Sequence, residues 1–123
     1  MRILPKSSLH TPAVHALSLS GSVLPDRLAA GANRLIELGA TVQCPDAATA
    51  TWRYFAGSDD ERLAALDASL KGDADIVMFT RGGYGLSRLL HRIDWQAVAA
   101  SKKLFCGYSD ITAFNLAALA EAN

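Results

Sequence analysis

The run Asp-Ile-Val-Met-Phe-Thr at residues 75–80 constrains the fold more than any other part of this 123-residue chain. Its apolar residues follow one another without the alternation of a strand that exposes one face to water, which indicates a strand buried on both faces. Such strands occur in parallel sheets that are covered by helices on both sides. The run therefore predicts an α/β fold with a parallel sheet as its central layer.

The rest of the chain supplies the strands and helices that such a fold needs. Apolar spacing predicts further strands at 16–19, 41–43 and 104–106, and helices at 26–38, 58–71, 95–100 and 111–122. Strands that alternate with helices through short loops form a parallel sheet wound on both faces. We interpret residues 1–15 as a lead-in to a single domain.

Composition and charge narrow the class of protein. The chain is 50% hydrophobic and 20% charged with a formal net charge of zero, which is typical of a globular protein without a nucleic-acid-binding surface. We therefore expect a small-molecule or protein partner. No apolar run reaches the length of a membrane span or resembles a signal-peptide core, so we expect a cytoplasmic protein in which Cys44 and Cys106 are free thiols.

Ser109 lies in the turn that joins the strand at 104–106 to the helix at 111–122. A serine at a strand-to-helix turn is typical of a nucleophile elbow, whose hydroxyl projects from the sheet edge and whose next backbone N–H, here that of Asp110, can stabilise an oxyanion. The turn lacks the second glycine of the usual Gly-x-Ser-x-Gly pattern, because Ile111 takes that place. The alternative is that Ser109 or Asp110 simply caps the helix.

A glycine-rich turn, Arg-Gly-Gly-Tyr-Gly at 81–85, follows the strand at 75–80. The carboxyl ends of parallel strands share one edge of a sheet, so this turn, the Ser-Gly turn at 20–21 and Ser109 are expected at one site. Gly82 or Gly83 could then complete an oxyanion hole, or could only provide a turn with positive φ.

Two arginines and three histidines bear on the chemistry of this edge. Arg81 either binds a substrate carboxylate or pairs with Asp110. Arg88 stands where a dinucleotide-binding loop carries its third glycine, which disfavours a phosphate cradle. A serine nucleophile needs a base, but the spacing of the histidines places none of them next to Ser109. These histidines are His10, His15 and His91.

The motifs together resemble the N-terminal domain of the LD-carboxypeptidases, the serine peptidase family S66, which includes muramoyltetrapeptide carboxypeptidase and the microcin C immunity hydrolases. The matching stretches are Ser-Gly at 20–21, Phe-Ala-Gly-Ser-Asp-Asp-Glu-Arg at 55–62, Arg-Gly-Gly-Tyr-Gly at 81–85 and Gly-Tyr-Ser-Asp-Ile-Thr at 107–112. The resemblance implies a three-layer sandwich of the flavodoxin-like or class I glutamine amidotransferase-like kind.

The resemblance also implies roles for individual residues. It assigns the nucleophile to Ser109 and the oxyanion donors to the N–H of Asp110 together with Gly82 and Gly83. It implies that a glutamate and a histidine complete the triad from a C-terminal domain absent from this chain, so that the chain alone is inactive. We expect four positions to contact the substrate: Arg81, Tyr84, Ser20 and Gly21.

For the complete protein, the resemblance implies hydrolysis, without a metal or a cofactor, of the L,D-amide bond that releases terminal D-Ala from a murein tetrapeptide during peptidoglycan recycling. It also implies a homodimer that binds neither nucleic acid nor a membrane. Two alternatives stay open. One is hydrolysis of peptidyl-aminoacyl adenylates, as in the microcin C immunity branch, whose motif tends to lose the Tyr84 and Gly85 ending present here. The other is a module that binds a peptide without cutting it.

Overall fold

The computed structural model describes residues 11–122 of the chain. Within them, short strands form one parallel sheet in the order β2-β1-β3-β4. The strands are β1 (Ala13–Leu17), β2 (Thr41–Gln43), β3 (Ile76–Phe79) and β4 (Leu104–Cys106). The strand order changes direction between β1 and β3, and in sheets of this kind ligands bind outside the carboxyl ends of the strands at that point. The expected parallel α/β sheet is therefore confirmed.

Helices connect the strands. They are α1 (Pro25–Glu37), α2 (Asp59–Lys71), α3 (Trp95–Ser101) and α4 (Thr112–Glu121). Short 3-10 turns occupy Asp46–Thr49, Ser87–Arg92 and Ser109–Ile111. Local sequence accounts for where α2 and α3 begin: Ser58 and Glu61 form a capping box at α2, and the Asp94 side chain accepts the Ala97 N–H at α3.

The two faces of the sheet are covered differently. The face that carries Leu17, Val77 and Phe79, called here the packed face, forms one buried core with residues from α2, α3 and α4. The opposite face, called here the open face, carries Val14 and Met78 and lies against α1. No residue of α1 is buried, and a cavity of about 760 Å³ is lined by both α1 and the open face.

Two predictions about this fold are wrong. The first strand begins at Ala13 and not at residue 16, so residues 13–15 belong to the sheet and not to a lead-in; residues 1–10 lie outside the described range. The strand at 104–106 lies at the edge of the described sheet, so Leu104 and Cys106 are exposed where a buried strand was expected.

The aromatic residues of the segment between β2 and α2 differ in how far they are buried. Only Phe55 is buried, whereas Tyr54 is 85% exposed and Trp52 stacks on Phe55 from outside, with the ring centroids 6.0 Å apart. No helix within residues 11–122 is long and apolar enough to cross a membrane.

Candidate active site

Ser109 is the first residue of the 3-10 turn Ser109–Ile111, which lies between β4 and α4, and its φ is +64°. A side chain in this left-handed region costs about 1–3 kcal/mol, so such a residue persists only where the surrounding structure holds it there. The capping alternative is wrong, because Tyr108 and Ile111 occupy the N-cap positions of the 3-10 turn and of α4, and neither end has a side-chain cap. Ser109 thus has the positive φ and the place between a strand and a helix that a nucleophile elbow requires.

The glycine-rich turn after β3 lies directly against this serine. A Cβ atom at Gly82 would be 2.7 Å from the Cβ of Ser109, 2.9 Å from its Oγ and 3.2 Å from the backbone N of Asp110. Real Cβ atoms do not make contacts this short, so only glycine permits the approach. The glycine turn thus lies against both the Ser109 side chain and the backbone N of Asp110.

One hydrogen bond sets how the glycine turn is oriented. The Gly21 N–H donates to the Gly82 carbonyl oxygen over 2.9 Å. The peptide that joins Gly82 to Gly83 is trans, so the N–H of Gly83 points away from Gly21. Gly83 itself has a φ of +104°, which shows that the turn also needs glycine for its conformation.

A cavity of about 280 Å³ opens beside Ser109. It is lined by Phe79, Thr80, Arg81, Gly82, Gly83, Tyr108, Ser109 and Ile111. This lining contains neither a histidine nor a carboxylate. His15 is buried in β1, where it hydrogen-bonds Gln43, and His91 is exposed beyond the glycine turn. The residues that line this cavity therefore supply no histidine or carboxylate base for Ser109.

The Asp110 carboxylate faces into the fold. Its Oδ2 accepts the Ser20 hydroxyl over 2.6 Å and the Leu86 N–H over 3.1 Å. Ser20 was expected to contact the substrate, but it is fully buried and its hydroxyl donates to Asp110 instead. The neighbouring Gly21 does lie at the site, since a Cβ there would approach the Gly82 carbonyl oxygen to 3.0 Å.

Arg81 and Tyr84, the other expected substrate contacts, are both exposed. One guanidinium nitrogen of Arg81 donates to the Ser22 carbonyl oxygen over 2.8 Å, so the alternative in which Arg81 pairs with Asp110 is not what the structure shows. Arg81 lines the cavity at Ser109. Tyr84 is 71% exposed and lies 6.1 Å from the ring of Phe55.

Arg62 is a residue whose place sequence reasoning missed. It is fully buried, and its guanidinium donates to the carbonyl oxygens of Leu19 and Gly85 over 2.9 and 3.1 Å and to Asp59 over 2.7 Å. It also lies 4.9 Å from the centroid of the Phe55 ring. Arg62 thus joins the segment after β1 to the end of the glycine turn.

A signal for Arg62 was present in the helical spacing of α2. The buried positions of α2 are Arg62, Leu66 and Ser69, which repeat at i, i+4 and i+7. An arginine on that buried stripe with Asp59 one turn before it indicates a buried ion pair. Burial lowers the pKa of the Arg62 guanidinium, and the charge of Asp59 raises it.

A strained serine at a strand-to-helix turn, approached by glycine backbone and placed at the carboxyl edge of a parallel sheet, is typical of hydrolases that act through a nucleophile elbow. Residues 13–123 match the family model for the LD-carboxypeptidase N-terminal domain, so the chain belongs to the LD-carboxypeptidase family, peptidase S66. No group of side chains within residues 11–122 has the composition of a metal site.

Individual relatives agree with this membership. A murein tetrapeptide carboxypeptidase from Pseudomonas aeruginosa is 42% identical over 65 residues, which is 51% of this chain and 21% of that protein. The crystal structure of muramoyltetrapeptide carboxypeptidase from Oxalobacter formigenes superposes with a TM-score of 0.79 at 33% identity, covering 87% of this chain and 36% of that one.

A second kind of relative is as similar in structure. The microcin C7 self immunity protein, solved in complex with aspartyl sulfamoyl adenosine, has a TM-score of 0.78 at 26% identity over 86% of this chain and 33% of that one. The chain therefore spans about a third or less of the length of these relatives, and it corresponds to the N-terminal part of the family's fold.

Proposed function

We propose that this chain is the nucleophile half of a serine carboxypeptidase that releases terminal D-Ala from a murein tetrapeptide in cytoplasmic peptidoglycan recycling. The observation that carries the proposal is the close approach of Gly82 to Ser109, whose φ is +64°: a Cβ atom at Gly82 would lie only 2.9 Å from the Ser109 Oγ. The murein substrate is supported by the names of the relatives from Pseudomonas aeruginosa and Oxalobacter formigenes.

In this mechanism the Ser109 Oγ attacks the carbonyl carbon of the L,D-amide bond while a base takes its proton. The negative charge that develops on the carbonyl oxygen is stabilised by backbone N–H groups, those of Asp110 and of Gly82 or Gly83. The proton passes to the leaving nitrogen of D-Ala, the C–N bond breaks, and an acyl-enzyme ester remains at Ser109. Water, deprotonated by the same base, then hydrolyses the ester.

No histidine lines the cavity beside Ser109, which supports a base that lies outside the described residues. We propose that a histidine and a glutamate from a C-terminal domain supply it, and that the complete protein is a homodimer. Both parts of this proposal can be checked on the complete reading frame, by its sequence beyond Asn123 and by light scattering of the purified protein.

Arg81 is the proposed contact for the free carboxylate of the terminal D-Ala. Its side chain is exposed at the cavity, and the bond to Ser22 uses only one of its nitrogens, which leaves donors for a carboxylate. In the complete protein, Arg81→Ala should raise KM for the tetrapeptide far more than for the same peptide with its terminal carboxylate amidated. Equal changes for the two substrates would contradict this role.

The decisive experiment is to place a methyl group at Gly82. In the complete protein, Gly82→Ala should lower kcat for tetrapeptide hydrolysis by about 100-fold or more, the effect of losing an oxyanion donor, and Ser109→Ala should abolish it. Gly72→Ala is the matched control, because a Cβ there would lie 3.5 Å from the Ala68 carbonyl oxygen, an ordinary contact distance. Unchanged turnover in Gly82→Ala would contradict the proposed site.

A fluorophosphonate probe tests the dependence on a second domain. The serine should react in the complete protein and stay unlabelled in the chain of residues 1–123, because without a base its hydroxyl is not activated. Labelling of Ser109 in the short chain at the rate of the complete protein would show that the base lies within these residues and would contradict the two-domain proposal.

The similarity to the microcin C7 self immunity protein supports a second candidate, hydrolysis of peptidyl-aminoacyl adenylates. The Tyr84 and Gly85 ending of the glycine turn favours the carboxypeptidase. The two are separated by measuring kcat/KM of the complete protein for a murein tetrapeptide and for an aminoacyl adenylate. Affinity for the tetrapeptide without turnover, unchanged in Ser109→Ala, would instead indicate a peptide-binding module.

A further inference from the structure

Three turns of the chain meet at a single carboxylate oxygen. Asp110 Oδ2 accepts the hydroxyl of Ser20, which follows β1, and the N–H of Leu86, which follows the glycine turn. Asp110 itself follows Ser109, so the carboxylate connects the serine turn to both of the other turns at the carboxyl edge of the sheet. No part of this carboxylate lines the cavity at Ser109.

We infer that Asp110 is a positioning residue, whose side chain holds the glycine backbone at the distance from Ser109 that the oxyanion requires. This inference rests on the proposed role of Ser109 as the nucleophile. It is separate from the oxyanion role of the Asp110 backbone N–H, which any residue at this position except proline would retain.

The connections on either side of the carboxylate show how it acts. On one side, Ser20 is followed by Gly21, whose N–H donates to the Gly82 carbonyl oxygen and so sets the plane of the peptide beside Ser109. On the other side, Leu86 is fully buried and closes the far end of the same turn. Release of both bonds leaves the backbone of the glycine turn held through the Gly82 and Gly85 carbonyl oxygens, which accept from Gly21 and Arg62, while Ser109 stays attached to β4 and α4.

The carboxylate is needed as an acceptor for two donors. Both donors reach the same oxygen, and an amide oxygen, like a carboxylate oxygen, can accept two hydrogen bonds. The Ser20 hydroxyl is fully buried, so no water replaces a lost acceptor. An asparagine at position 110 should therefore preserve the arrangement, and a leucine of similar shape should not.

The experiment compares Asp110→Asn, Asp110→Leu and Ser20→Ala in the complete protein. Asp110→Leu should lower kcat for the tetrapeptide by about 100-fold, as expected when reacting groups are misplaced by about 1 Å, with little change in KM. Asp110→Asn should stay within about 10-fold of the native protein, and Ser20→Ala, which removes one of two bonds, should fall between the other two.

Asp94→Leu is the matched control for a merely structural aspartate. Asp94 also accepts a backbone N–H, that of Ala97 at the start of α3, so its loss destabilises the fold without touching the site. This variant should melt at a lower temperature and keep the native kcat below its melting point. An Asp110→Leu protein with the same profile would overturn the inference, as would an Asp110→Asn protein as inactive as Asp110→Leu.

Amide hydrogen exchange of Leu86 separates this inference from the proposed function. The Leu86 N–H should be protected in the native protein and in Asp110→Asn, and should exchange faster in Asp110→Leu. A native protein that does not cleave peptides would contradict the proposed function, yet this exchange pattern would still show that the Asp110 carboxylate holds the glycine turn in place. Equal protection of the Leu86 N–H in all three proteins would overturn that positioning role, whatever the activity. If Asp110→Leu does not fold, unchanged kcat in Ser20→Ala would overturn the inference.

Discussion

The packed face and the open face of the sheet differ in what they hold in place. On the packed face, the buried core includes Leu19, Phe79 and Ile111, and each of these lies next to one of the turns that form the site. On the open face, α1 has no buried residue and leaves a cavity of about 760 Å³. The comparison indicates that the packed face carries both the stability of the domain and the geometry of the site.

The largest effect should come from the aromatic cluster behind the packed face. Phe114 is fully buried, and its ring centroid lies 5.1 to 5.3 Å from those of Phe79, Trp95 and Phe105. Phe114→Ala should lower the free energy of unfolding by about 3–5 kcal/mol in urea denaturation, because it leaves a cavity in a well-packed core. Leu116→Ala, 62% exposed on the same helix, should cost far less. Similar losses of unfolding free energy in the two variants would contradict the claim that the packed face carries the stability of the domain.

Two neighbouring residues of β3 sharpen the comparison within one strand. Val77 lies on the packed face with no exposed surface, and Met78 lies on the open face, where it lines the cavity. Val77→Ala should cost about 2 kcal/mol of unfolding free energy, although it removes fewer atoms than Met78→Ala, which should cost less than about 1 kcal/mol. A larger cost for Met78→Ala would show that α1 packs more closely in solution.

The open face should also accept added atoms. Gly31 is inside α1 and lines the cavity, and a Cβ there would meet no atom within 4 Å. Gly31→Ala should therefore raise the free energy of unfolding by about 0.5–1 kcal/mol through helix propensity. Gly39→Ala is the opposite control, because Gly39 ends α1 with a φ of +100° that alanine adopts with strain. A lower free energy of unfolding in Gly31→Ala would show that α1 lies too close to the sheet to admit a methyl group.

The smallest predicted effect is a dependence of stability on pH. Burial lowers the pKa of His15 below its ordinary 6.5, the hydrogen bond with Gln43 raises it, and the charge of Lys103 lowers it. The unfolded chain therefore binds a proton more readily, so stability is complete above about pH 6.5 and falls as the pH drops below it. Urea denaturation at pH 7 and pH 5 should show this fall, and His15→Gln should reduce it. If the unfolding free energy of His15→Gln falls with pH as it does in the native protein, His15 is not the cause of the fall.

Local signals predicted much of the fold. The bounds of β2 and β4 agree with the structure because Pro45 and Gly107 follow closely on the two strands and end them, and α2 and α3 begin at side-chain caps that can be read from the sequence. The place of β4 at the edge of the described sheet was not predictable in this way. An apolar run shows that a strand forms, but it does not show whether another strand or a helix covers it.

The site was predictable only as far as strand order brings turns together. Ser109 and Gly82 follow from the rule that loops after parallel strands meet at one edge. The carboxylate of Asp110 was not assigned, because its partner Ser20 lies 90 positions away and no local pattern records that bond. Arg62 was overlooked for a related reason: a charged residue on a buried stripe becomes favourable only through the acceptors that the fold brings to it.

The left-handed backbone at Ser109 sets the proposed activity of this domain against its thermal stability. Glycine adopts a φ of +64° without the cost that a side chain incurs, so Ser109→Gly would relax the turn and leave a protein that unfolds at a higher temperature but lacks the proposed nucleophile. Repeated rounds of variation selected for heat resistance alone would therefore remove the serine. If Ser109 has the proposed role, selection for turnover has to act continually to keep it.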